Sequence, residues 1–230
     1  MSTFQTVRFP GESAEYRATR EELLRAEIEL RSRIEEVAAL RRALPLGGEV
    51  PVDYPFEEER DGNILRVRLS ELFEPGKETL VLYGFMYGPE MEAACPSCTS
   101  ILDGLDGVVP HVTQRLSLAA VAKSPIARLR AHARERGWSR LRLLSSARTT
   151  YNRDYHGETA DGRQIPALNV FVRKSRHGPS HVQHRAPVRA DGSGPGPAAR
   201  GRDLAASLWS LFDLTPAGRP SDWDVALRYD

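Results

Sequence analysis

The stretch ETLVLYGFMYG, residues 78–88, is a near-continuous apolar run rich in β-branched and aromatic side chains. A strand with one solvated face would alternate polar and apolar residues. An uninterrupted run predicts a strand buried on both faces. Such a strand needs neighbours on either side and cover above and below, which restricts the chain to an α/β arrangement. RLSLAAVAKS (115–124), SRLRLLSSA (139–147) and IPALNVFVRKS (165–175) read as further strands, and SHVQHRAPVRA (180–190) as a strand returning beside the last. A helix is expected from about Pro96 to Val112. Another is expected over 124–137, with Ser124 as N-cap, Pro125 at the first helical position and Gly137 as its stop. Strand–helix alternation builds βαβ units with a parallel core, and the final hairpin adds antiparallel pairing. The expected fold class is α/β, with a central mixed sheet flanked by helices.

Ahead of this pattern, residues 1–18 read as an arm containing Pro10 and Gly11. Thr19 and Glu22 fit a capping box, so a long amphipathic helix is expected from Thr19 to about Leu44, ended by Pro45 and Gly47–Gly48. Its apolar residues, among them Leu23, Ile28, Ile34 and Leu40, would lie against the main domain or pair with a second subunit in a homodimer. The division expected is 1–48 for arm and helix and 49–230 for the main domain. Within the latter, LSELF (69–73) reads as a short helical turn. Glu57–Glu58–Glu59 read as solvated charge in an exposed turn before Gly62. Gly192–Gly201 read as a loop, and GRDLAASLWSLFDLTPAGR (201–219) as a closing helix.

Composition excludes several roles. A formal net charge of +1 gives no electrostatic reason to expect nucleic acid or an anionic membrane as partner. No apolar run approaches the roughly 18 residues of a membrane helix, and the N-terminus has no apolar core of a signal peptide. The expected location is the cytoplasm, where thiols stay reduced. No Walker loop, GxGxxG or GxSxG is present, which argues against nucleotide binding and serine-hydrolase chemistry.

The two cysteines, Cys95 and Cys98, have two residues between them and follow the buried strand directly. Cys95 falls at the expected start of a helix, where unpaired N–H groups and the dipole favour a thiolate. Pro96 suits the first helical turn, and Cys98 lies one turn on, partly shielded. Cys95 could then attack a disulfide and Cys98 resolve the mixed intermediate, with no cofactor required. A second reading is a metal site of Cys95, Cys98, His156 and His181, since thiolate plus imidazole suits copper or zinc. His177 and His184 read as surface histidines in a basic loop. TTYNRDYHG (149–157) follows a strand and concentrates polar groups. Tyr151, Asn152, Arg153, Asp154 and His156 are therefore candidates for substrate contacts, or else form a polar turn.

FMYGPEMEAACPSCTSILDGLDGVVPHV, ARERGWSRLRLLSSARTTYNRDYH, IPALNVFVR and LWSLFDLTPAGRPSDW together resemble a bacterial thioredoxin-like family known as domain of unknown function 899. The resemblance implies a thioredoxin-like fold, similar to thioredoxins and peroxiredoxins, with the biochemical role not established. It also implies that Pro166, about 70 residues after the cysteines, stands where thioredoxins carry a cis-proline beside the substrate; the other reading is an ordinary loop proline at a strand start. The family's aromatic-rich RHFW-type segment is missing, and His181 alone corresponds to its histidine. PEMEAAC lacks the Thr and Pro that precede a peroxiredoxin nucleophile, so peroxide reduction ranks below disulfide exchange. The resulting expectation is a thiol–disulfide oxidoreductase, with Cys95 as nucleophile, Cys98 as resolving thiol and Pro166 as presenting proline. Its partners would be a small-molecule or protein disulfide and a cellular thiol reductant. The metal reading would make it a copper or zinc carrier or metalloenzyme.

Overall fold

In the computed structural model, the described residues are 8–174, the strand 181–189 and residue 227. The chain divides into two compact units, 1–45 and 46–230. The expected closing helix over 201–219 and the loop before it lie outside the described residues.

The first unit holds one 30-residue helix, α1 (Ala14–Ala43). Its N-cap is Ser13, not Thr19: the Ser13 hydroxyl oxygen accepts the Tyr16 N–H at 3.1 Å. Glu12 adds a second anchor by pairing with Arg17, and this cap starts the helix well before the expected capping box. None of the residues in α1 is buried, and Leu23, Ile28, Leu30, Ile34 and Leu40 are each about half exposed or more. No helix among the described residues is long and apolar enough to cross a membrane.

The second unit is built on a seven-stranded sheet. Its strands are β1 (Pro55–Arg60), β2 (Asn63–Arg68), β3 (Thr79–Gly84), β4 (Ser117–Ala122), β5 (Arg142–Ser145), β6 (Ala167–Lys174) and β7 (His181–Arg189). They lie in the order β2-β1-β5-β4-β3-β6-β7. β3, β4 and β5 are parallel, while β1, β6 and β7 pair antiparallel with their neighbours. Between the parallel strands run α2 (Pro96–Val112) and α3 (Ile126–Arg136), with a short α4 (Tyr151–Asp154) after β5. The helix over α2 and the five expected strands stand where the hydrophobic pattern places them. α3 begins one residue later than expected. Pro125 is its N-cap, while Ser124 is fully buried, its carbonyl accepting from the Ser145 hydroxyl at 2.6 Å.

The β1–β2 hairpin is an element that the sequence reading lacks. Asp61 and Gly62 both have positive φ, 52° and 76°, as a two-residue turn matched to strand twist requires. The acidic run is therefore not a solvated turn. Glu58 is 5% exposed and bonds Arg142 Nε at 2.7 Å and Arg60 at 2.6 Å, while Glu59 faces Arg130 and Arg134. A strand of three glutamates is tolerated because arginines from β5 and α3 meet it.

The two faces of the sheet carry separate cores. Val81 and Tyr83 of β3 point to the face covered by α2 and α3, with Ile101, Leu102, Leu129 and Trp138. Leu80 and Leu82 point to the other, with Tyr54, Phe56, Leu72, Tyr151 and Phe171. α2 is tied to the start of β5 by Asp106, 6% exposed, whose Oδ1 accepts the backbone N–H groups of Arg140 and Leu141 at 2.9 and 2.8 Å. Asp106→Ala would leave the buried Leu141 N–H unpaired and take the acceptor from the Arg140 N–H, an expected loss of about 1–3 kcal/mol in urea unfolding. A loss below about 0.5 kcal/mol, the size of an ordinary surface substitution, would show that this tie is not structural.

Candidate redox-active site

The chain leaves the centre of the sheet at the end of β3. Phe85 N–H still bonds Val121 O at 2.8 Å, and then the backbone turns outward. Met86 links that turn to α2. Its carbonyl accepts the Cys95 N–H at 3.0 Å, and its own N–H faces the Cys98 sulfur. Cys95 is the N-cap of α2, with φ −62° and ψ 122°, and Pro96 follows in the first turn, where its missing donor costs nothing. Thr99 N–H closes the turn on Cys95 O at 2.9 Å. Cys95 is half-buried and Cys98 is 2% exposed; both are free thiols.

The two sulfurs are unequal. The Cys98 thiol is held well above its ordinary pKa, first because it hydrogen-bonds the Cys95 side chain, then because it is buried and faces Cys95 charge. The Tyr83 hydroxyl and the Met86 N–H act in the opposite direction, since both stabilise a Cys98 thiolate. Cys98 therefore keeps its proton, while Cys95 sits at a helix N-terminus, where unpaired N–H groups and the dipole favour a thiolate.

One helix braces the segments on either side of Cys95. From α3, Arg128 lies 4.3 Å over the Tyr87 ring and donates to carbonyls in the loop before Cys95. His132, 8% exposed, packs on Phe85, Tyr87 and Trp138, and its Nε2 is 3.4 Å from Thr99 Oγ1. Burial lowers the His132 pKa below 6.5, so the ring is neutral near pH 7. The Thr99 hydroxyl in turn donates to Cys95 O at 3.0 Å. Neither Arg128 nor His132 stands out in the sequence. Their only signal is four-residue spacing on a helix beside the site.

Pro166 precedes β6, whose register pairs Ala167 with Gly84. Continuing that register sets the Pro166 backbone opposite Phe85, at the end of the sheet from which Cys95 follows. The peptide bond before Pro166 is trans, as are all described peptide bonds. Beside it, Gly88 and Gln164 approach so closely that a Cβ on Gly88 would lie 2.8 Å from Gln164 Cγ. A cleft of about 500 Å³ opens here between Met86–Met91 and 161–164, with Lys123 on its wall paired to Glu158.

The segment after β5 goes elsewhere. Tyr151 is fully buried among Tyr54, Phe56 and Phe171, in the core on the face of the sheet opposite Cys98. Asp154 accepts from the Tyr54 and Thr150 hydroxyls, and Arg153 is an exposed partner of Asp154. Asn152 is buried, accepts the Ser146 hydroxyl at 2.5 Å and donates to Gln164 at 3.3 Å, so it supports the cleft wall from behind. The structure does not bring these four residues to the cysteines.

The two histidines also stay apart from the thiols. His156 is exposed, in the left-handed region at φ 54° after α4. His181 pairs with Lys174, at the end of β6 remote from Ala167. Seven residues of strand separate those ends, roughly 23 Å at about 3.3 Å per residue. Sheet register thus removes His181 from the expected metal site. Among the described residues, no group of three His, Cys, Asp or Glu side chains is placed to hold a metal ion.

A buried parallel strand followed by a Cys-Pro-Ser-Cys helix start, a second βα unit and an antiparallel strand beside the central one is a thioredoxin-like arrangement. Solved structures similar to this chain include three peroxiredoxin-type proteins. Plasmodium vivax 2-Cys peroxiredoxin is 16% identical, with 69% of this chain and 93% of that one covered and a TM-score of 0.47. Xylella fastidiosa PrxQ is 12% identical, covering 73% and 97%, with a TM-score of 0.47. Mycobacterium tuberculosis peroxidoxin BcpB is 17% identical, covering 70% and 94%, with a TM-score of 0.45. No curated protein matches the sequence. The model of the family described as bacterial protein of unknown function (DUF899) matches residues 6–229, nearly the whole chain, and the protein belongs to that family.

Proposed function

We propose that this protein is a thiol–disulfide oxidoreductase in which Cys95 is the nucleophile and Cys98 the resolving thiol. The observation that carries the reading is the asymmetry of the pair: a half-buried sulfur at a helix N-terminus beside a buried one that keeps its proton. The Cys95 thiolate attacks one sulfur of a disulfide substrate. That S–S bond breaks, and the leaving thiolate takes a proton from solvent. Cys98 then loses its proton and attacks Cys95 Sγ, releasing the second substrate thiol and leaving a Cys95–Cys98 disulfide. Two protein thiols are oxidised and one substrate disulfide is reduced. A thiol reductant, available in a reducing compartment such as the cytoplasm, returns the pair to its starting state. The Pro166 backbone, next to the turn at Phe85, and the cleft bordered by Met86 are where the substrate would lie.

The steps separate by mutation. Reduced Cys98→Ser protein incubated with glutathione disulfide is expected to accumulate a mixed disulfide on Cys95, seen as a mass shift, and Cys95→Ser is expected to be inert. If hydrogen peroxide oxidises Cys95 while disulfides leave it untouched, the electrophile is a peroxide instead. If neither reacts, and both thiols titrate near the ordinary value of about 8.5, the redox reading fails.

The raised Cys98 pKa sets the sign of a pH effect. Protonated Cys98 cannot attack, so resolution should accelerate as pH rises through and beyond the ordinary thiol range. Tyr83→Phe removes a donor that stabilises the Cys98 thiolate. A hydrogen bond to a charged group is worth about 1.5–3 kcal/mol, so resolution should slow about tenfold or more with the first attack unchanged. Stopped-flow release of the second thiol measures this, and equal slowing of both steps would assign Tyr83 a packing role only.

A further inference from the structure

Arg128 and His132 stand one turn apart on α3 and grip Tyr87 between them, the guanidinium at 4.3 Å and the imidazole at 5.6 Å from the ring centroid. From there they diverge. His132 meets Thr99, in the first turn of α2 after Cys95. Arg128 turns the other way and donates to three carbonyls: Gly88 at 3.3 Å, Glu92 at 2.9 Å, and Met91. All three belong to the segment that joins β3 to Cys95. One helix face therefore holds the chain on both sides of the nucleophile.

That segment needs such a brace. Between Gly88 and Ala94 its only backbone hydrogen bond among the described residues is Met91 N–H to Gly88 O, a long 3.3 Å, before Cys95 N–H reaches Met86 O. The carbonyls of Gly88, Met91 and Glu92 converge instead on one guanidinium. Among the described residues no carboxylate pairs with Arg128, so its donors are committed to backbone. A planar fork of five N–H groups can serve several carbonyls at fixed angles, which a single ammonium cannot.

We propose that Arg128 is a positioning residue for Cys95: by clasping the loop from Gly88 to Glu92 it sets where α2 begins and how the Cys95 sulfur is presented. The proposal rests on the reading of Cys95 as the reactive thiol. Arg128→Lys keeps the charge and loses the fork, and Arg128→Met loses both. Arg134→Met, on the same helix with an exposed side chain and only a distant Glu59 contact, is the control.

In the full chain carrying Cys98→Ser, iodoacetamide alkylation of Cys95 is followed against pH, and amide hydrogen exchange is read at Met91 and Cys95. Arg128→Lys and Arg128→Met are both expected to slow alkylation at neutral pH about tenfold, the effect of one pKa unit on thiolate population. Both should also move the midpoint upward and release the two amides to faster exchange, with far-UV circular dichroism unchanged. Arg134→Met should match its parent. Parent-like rate, midpoint and exchange in Arg128→Lys would overturn the proposal, since charge alone would then suffice. If Cys95 in the parent titrates as an ordinary thiol, the oxidoreductase reading fails by itself, and the exchange comparison still decides whether Arg128 orders the loop.

Discussion

The backbone of Met86 joins the sheet to the site. Its carbonyl receives the Cys95 N–H and its N–H faces the Cys98 sulfur, so a single residue just past the end of β3 registers both thiols. This works only because β3 is locked on both sides, by β4 in parallel and β6 in antiparallel register. The strand is buried on both faces and has little freedom to shift. A helix N-cap hung from such a strand inherits its rigidity, which a reactive sulfur needs if its ionisation and approach angle are to be constant.

Burial then divides the labour between the cysteines. A thiol at 2% exposure pays heavily to ionise, and an adjacent Cys95 thiolate makes ionisation harder still. The Tyr83 hydroxyl and the Met86 amide offset part of that cost without cancelling it. The outcome is an ordered pair in which one sulfur is available and the other is held in reserve. α3 adds the outer frame, with His132 against the first turn of α2 and Arg128 on the preceding loop, so the nucleophile is supported from the sheet and from a neighbouring helix.

Much of this frame was legible in the residues. The apolar run over 78–88 could only be a two-sided strand, and Pro96 with the segments after it placed α2 correctly. The β1–β2 hairpin was missed although Asp61–Gly62 is a strong turn signal, because the glutamates before it looked solvated. Only Arg142, brought from 84 residues away in sequence to meet its carboxylate, makes Glu58 a buried strand residue. TTYNRDYHG misled in the opposite sense. Its polar composition suggested a binding loop, whereas Tyr151 packs in the far core and Asn152 and Asp154 satisfy neighbouring hydroxyls.

The sequence by itself determined that the two cysteines follow a buried strand and open a helix, because hydrophobic periodicity and proline chemistry act locally. Tertiary structure alone decided which residues share their space. His181, which looked available for a metal, was separated from the thiols by strand register, which fixes distance along a sheet to within a residue. Arg128 and His132, silent in the sequence, were brought to the site by the packing of α3 over β5 and β1. Composition can nominate a group for chemistry, but sheet register and helix packing determine whether it reaches the reacting atom.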